Sequence, residues 1–92
     1  MNKTEDQARA KRVRTEQAIQ YAMQSRWDDA ITANRAIIAA FPDEPEGYNR
    51  LGKALSEVGK IKEAREAYQR ALELEPTNTI ARKNLDRLAT AR

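Results

Sequence analysis

The sequence predicts an all-α fold, a helix–turn–helix repeat solenoid of about five helices. Three observations predict it. The chain matches itself at an offset of 34 residues. Apolar residues recur at helical spacing between a few well-placed Gly and Pro breakers. Of 92 residues 34% are charged and 5% aromatic, with only three Gly and three Pro, a mixture rich in helix formers.

At that offset Pro42 falls on Pro76, Ala30 on Ala64, Trp27 on Ile61 and Ile38 on Leu72. Ala18 falls on Gly52, Tyr21 on Leu55, Ser25 on Gly59 and Arg26 on Lys60. Leu51 then falls on Leu85 and Ala54 on Leu88, the start of a third, partial copy. A fixed period of this length marks stacked helix pairs, each covering the apolar face of the next.

Residues 1–10 read as a helical lead. Thr4 and Gln7 have the spacing of a capping box, and no Gly or Pro interrupts the chain from there to Gln24. A first helix of about five turns is expected, with fraying in the polar run Gln7 to Arg14. Residues 11–44 form an atypical first repeat, because Arg14 and Gln17 are poor core residues. Its second helix opens on Asp28 and Asp29, whose charge suits the positive end of the helix dipole. Trp27 reads as core rather than as a binding platform.

Residues 45–78 form the second repeat. Asp43 and Glu46 have capping-box spacing, with Pro45 in the first turn. Tyr48, Leu51, Ala54, Leu55 and Val58 recur at helical spacing, and Gly59 tolerates the left-handed geometry that ends a helix. A second helix is expected from about Ile61 to Leu74, stopped by Pro76. Small Gly52 and Ala64 let two helix backbones approach, with Leu51, Leu55, Ile61 and Tyr68 on either side. Residues 79–92 read as a capping helix with Ala81, Leu85 and Leu88 on one stripe. Arg82 and Asp86 stand where a further repeat would bury its residues. Burying them unpaired costs several kcal/mol, so the array is expected to close here.

The second copy reads Tyr48-x2-Leu51-Gly52-x2-Leu55, then Ala64-x3-Tyr68, then Pro76. It resembles the tetratricopeptide repeat, and the resemblance extends over about residues 11–92. The first copy departs from the pattern at Arg14, Gln17, Asn34 and Ile37, where Asn34 replaces an aromatic residue. The resemblance implies a single domain, residues 1–92, of antiparallel helices in a right-handed superhelical array. It also implies a concave groove, lined by the first helix of each pair, that holds an extended peptide. Carried over position by position, the groove residues include Asn49, Arg50 and Lys53 in repeat two and Ile80, Lys83, Asn84 and Arg87 on the closing helix. Repeat one adds Ile19 and Met23, which either face the groove or, if that helix slips register, enter the core. Lys83 and Arg87 match two basic positions of family members that clamp the acidic C-termini of chaperones. Thr15, Ile19 and Arg50 replace the remaining clamp residues, so an acidic or C-terminal carboxylate segment is the milder expectation.

Composition narrows the remaining classes. Neither His nor Cys occurs, so the commonest general base and the usual soft metal ligands are missing. Gly52-Lys53 lacks the upstream glycine and trailing Ser or Thr of a phosphate loop. Glu63 and Glu66 lie beside Lys62, Arg65 and Arg70, a solvated face and not a metal site. The sequence therefore predicts a non-enzyme with no catalytic residue, no metal and no cofactor. The net charge of +3 is split, +3 over residues 1–26, −3 over 27–44, zero over 45–76 and +3 over 77–92. The basic ends, with Lys11, Arg12 and Arg14, make nucleic acid the least favoured partner, since no aromatic interleaves with them. The favoured partner is a protein or peptide, and the alternative is a homodimer through Ile19 and Met23. No window is long and apolar enough to span a membrane, and Met1 to Asp6 holds no apolar h-region, so a cytoplasmic compartment is expected.

Overall fold

A computed structural model describes residues 3–90. They form five helices and no strand: α1 Lys3–Met23, α2 Trp27–Ala40, α3 Pro45–Glu57, α4 Ile61–Leu74 and α5 Thr79–Ala89. The ends of the 1–10 lead and of the 79–92 cap fall on residues 1–2 and 91–92, outside the described residues. Each helix packs on its neighbour in sequence, giving an elongated body of 50 × 29 × 17 Å. No helix among the described residues is long and apolar enough to cross a membrane.

The turns explain the repeat. Gly59 has φ of 83°, and Ser25, its counterpart one period earlier, has φ of 57°. In both turns the next amide reaches back five residues to close the helix end. Lys60 N–H donates to the Leu55 carbonyl at 2.9 Å, and Arg26 N–H donates to the Tyr21 carbonyl at 2.8 Å. Gly adopts this backbone freely, whereas Ser does so under strain.

The starts of α1 and α3 differ from expectation. The capping box of Asp43 and Glu46 does not form. Glu44 is the residue that caps α3, and it does so without a side-chain bond. Pro45 opens the helix, and the residue before a proline is held extended, here at φ −103° and ψ 115°. The Thr4 and Gln7 box is also absent, because α1 already begins at Lys3. The run Gln7 to Arg14 is helical throughout. Lys11 pairs with Glu44 and lies 5.4 Å from the centre of the Phe41 ring, which ties α1 to the α2–α3 turn. Among α2 to α5, α5 alone has a side-chain cap, with Asn78 accepting from the Ala81 N–H at 2.9 Å.

The core runs along the seams between helices and holds Ala30, Leu51, Ala54, Leu55, Ala64, Tyr68 and Ala71. Here too one expectation is sharpened. Gly52 makes room for a ring, not simply for a backbone. A β-carbon added at Gly52 would lie 2.8 Å from the Tyr68 ring, and Tyr68 is only 1% exposed. Trp27 packs against this core while half-buried. Val58, at the end of the α3 stripe, is exposed. In the first repeat Ala18 is fully buried, Tyr21 packs on the core, and Arg14 and Gln17 face solvent. The first helix therefore keeps the 34-residue register. Arg82 and Asp86 on α5 are exposed.

Candidate functional site

The geometry of interest begins at Asn34. In repeat two the corresponding residue, Tyr68, lays its ring over Gly52. In repeat one a short amide stands opposite Ala18. Asn34 is 1% exposed and both ends of its side chain are engaged. Its Nδ2 donates to the Ala30 carbonyl at 2.9 Å, and its Oδ1 accepts from Arg50 Nε at 2.9 Å. Arg50, reaching across from α3, thus lies on Asn34 and leaves its terminal guanidinium nitrogens for other partners. Burial pulls the Arg50 pKa below the usual value, and Glu46 and Glu44 oppose that pull.

Beside this pair opens a cavity of about 430 Å³. It is lined by Ala18, Ala22, Trp27, Asn34, Asn49 and Arg50. Ile19 and Met23 from α1, Lys53 from α3 and Ile80 from α5 complete it. Ile19 is 43% exposed and Met23 74%, so both face outward and neither enters the core. Arg50 also borders a second, more polar cavity of about 420 Å³, with Lys11, Thr15, Glu44 and Glu46 around it.

Of the groove residues expected from the sequence, Ile19, Met23, Asn49, Arg50, Lys53 and Ile80 come together around one cavity. Lys83, Asn84 and Arg87 do not line it. Asn49 Nδ2 donates to Asn78 Oδ1 at 3.2 Å, so it supports the cap of α5. Asn84 folds back on its own helix, its Nδ2 donating to the Ile80 carbonyl at 2.7 Å. Lys53 pairs with Glu57 at 2.7 Å in an exposed contact, which water and salt weaken. Lys83 and Arg87 enter no ion pair among the described residues. Burial above all raises the Tyr68 pKa to about 12, with nearby Arg87 opposing the rise and Glu57 adding to it.

Trp27 and Asn34 were not among the expected site residues. The signal for Asn34 was present in the sequence, since it falls on Tyr68 at the repeat offset. The chemistry on offer is binding. The titratable side chains in the cavity lining are Arg50 and Lys53, both cations, and no acidic group lines it.

Comparison with known proteins places this geometry. Residues 45–78 match the tetratricopeptide repeat family model. The peroxisomal targeting signal receptor of Eremothecium gossypii is 42% identical over 59 residues, 64% of this chain and 10% of that protein. Heat shock protein STI1 of Saccharomyces cerevisiae is 34% identical over 68 residues, 74% of this chain and 12% of that protein. The chain thus spans only about a tenth of these relatives. The first TPR domain of human RPAP3, solved by NMR, superimposes with a TM-score of 0.80 at 29% identity, over 83% of this chain and 60% of that one. The second, solved with the HSP70 peptide SGPTIEEVD, superimposes with a TM-score of 0.82 at 23% identity, over 86% of this chain and 66% of that one.

Proposed function

We propose that this chain, a tetratricopeptide repeat over residues 45–78 and tetratricopeptide in overall fold, is a non-catalytic interaction module for an acidic peptide segment. The segment lies along the face shared by α1, α3 and α5. One observation carries this reading: Arg50 and Lys53 flank a cavity that has apolar walls and no acidic group. Lys83 and Arg87, on the next helix of that face, extend the positive field toward the C-terminal end of the array. Like charges at i,i+4 cost a helix a few tenths of a kcal/mol, a cost that an incoming carboxylate removes. That the second RPAP3 domain holds an acidic peptide is consistent with this use of the fold. Nucleic acid is disfavoured further, because Lys11 is already paired with Glu44.

The test is fluorescence anisotropy with a labelled peptide carrying an acidic C-terminal segment and a free carboxylate. Binding is expected to weaken at least fivefold in Lys83→Ala/Arg87→Ala and to fall with added salt. Equal affinity for both proteins refutes the reading. The rival reading is self-association through the exposed Ile19 and Met23. Light scattering over a concentration series separates the two, since the peptide reading expects a monomer.

A further inference from the structure

We propose that the cavity beside Asn34 is an anchor site for one aromatic side chain of the ligand, with a neighbouring ligand carboxylate held by Arg50. The proposal rests on the groove reading above and specifies what the groove selects.

Its first support is the exchange between the repeats. Repeat two fills the space over Gly52 with the ring of its own Tyr68. Repeat one places Asn34 at that point, and Asn34 is held at one end by the Ala30 carbonyl and at the other by Arg50 Nε. The side chain that should fill the first repeat is therefore too short to do so, and about 430 Å³ stays open beside it. That volume lies within the usual range for ligand pockets. The second support is the convergence of apolar groups. Five large apolar side chains are exposed among the described residues, and three of them, Ile19, Met23 and Ile80, meet at this cavity. Scattered exposure needs no explanation, but convergence on one concavity does. Trp27 adds an aromatic wall, against which a second ring packs edge-to-face or offset. The third support is charge. A partly buried guanidinium, oriented by Asn34 and free at its terminal nitrogens, favours a carboxylate over any neutral group. Asn34 is thus a positioning residue for Arg50 as well as the origin of the open space.

The occupant is a protein segment with an aromatic residue next to an acidic one. The test uses 3-phenylpropionate as a probe that carries both groups. Trp27 is the sole tryptophan and lines the cavity, so its emission reports occupancy directly. Saturable quenching with a dissociation constant of order 5 mM is expected from the size of the probe. Butyrate, which lacks the ring, and 3-phenylpropionamide, which lacks the charge, should each bind about tenfold more weakly. The variant Ala18→Gly/Asn34→Tyr rebuilds the Gly and Tyr pair of repeat two and should abolish binding. Asn34→Ala removes the bond that orients Arg50 but leaves the cavity open, so it should still bind the probe, about tenfold more weakly and with little preference for the acid over its amide. If the double variant does not fold, Ala22→Leu narrows the cavity from its wall and should weaken binding about tenfold.

No saturable response to the probe, or equal response in the filled and parent proteins, overturns the proposal. So does a Trp27 emission that shifts with protein concentration alone, which would assign the cavity to a second copy of the chain. Probe binding should persist in Lys83→Ala/Arg87→Ala. Failure of the anchor site is therefore distinguishable from failure of the peptide reading.

Discussion

Replacing Gly52 with alanine tests the helix packing on which the site is built. The added β-carbon would lie 2.8 Å from two carbons of the Tyr68 ring and 2.9 Å from a third. Carbon atoms in contact prefer about 3.5–4.0 Å, so the ring must retreat by about 0.7 Å or more. It has nowhere to go, since Tyr68 is 1% exposed and part of the central cluster. Overpacking of this kind costs about 1–3 kcal/mol. Alanine returns up to about 1 kcal/mol in helix propensity. The net expectation is a loss of about 1–2 kcal/mol. In urea unfolding followed by circular dichroism, the midpoint should fall by about 1 M for a chain of this size. A second background sharpens the result. In Tyr68→Leu the ring is gone, so Gly52→Ala should stabilise by up to about 1 kcal/mol. The same substitution thus has opposite signs in the two backgrounds. A gain in the parent protein, or the same change in both, would refute the packing of Tyr68 on Gly52.

Ser25 sits at φ 57°, so Ser25→Gly should relieve strain and stabilise by about 0.5 kcal/mol, whereas Gly59→Ala at φ 83° should cost about 1 kcal/mol, both read from thermal melts. Burial pushes the Tyr68 phenol up to about 12, against about 10 when unfolded. Between those values the unfolded chain has released a proton that the folded chain keeps, so stability falls as pH rises from 10 to 12, by no more than about 2 kcal/mol. Urea midpoints at pH 9 and 11.5 should show that slope in the parent and a flatter one in Tyr68→Phe. Lys11→Ala should change global stability by less than about 1 kcal/mol, because its pair with Glu44 is partly exposed. Hydrogen exchange in the first half of α1 should nonetheless quicken severalfold, and unchanged protection there would show that the Glu44 and Phe41 contacts do not tether the lead.

Much of this fold was legible in the sequence because the repeat offset places like residues at like positions. The predicted span of α4, Ile61 to Leu74, is the span observed. The turn at Gly59 and its counterpart at Ser25 follow from the same alignment. Helix starts were less legible. A capping box needs only a three-residue spacing, which Thr4 and Asp43 supply by coincidence. Pro45 decided the start of α3 by constraining Glu44. The register of α1 was open in the sequence, since Arg14 and Gln17 are poor core residues, and was set by one small residue, Ala18, and by Tyr21 on the core. At the candidate site, the residues of α1 and α3 that the resemblance named are ones that meet at the cavity. The cavity was not, because it depends on how far Arg50 reaches over Asn34 and on the space left beside them. The exchange of an aromatic for Asn34 announced a departure but not its shape.

The central claim is that the face shared by α1, α3 and α5 receives an acidic ligand. The most direct test is an NMR titration of the labelled protein with a peptide carrying an acidic C-terminal segment and one phenylalanine. Saturable shifts are expected at Ile19, Met23, Trp27, Arg50 and Ile80, with smaller ones at Lys83 and Arg87. Arg35, Glu63 and Arg70, exposed on α2 and α4, should stay unmoved. Shifts confined to α2 and α4, or none at millimolar peptide, would contradict the account.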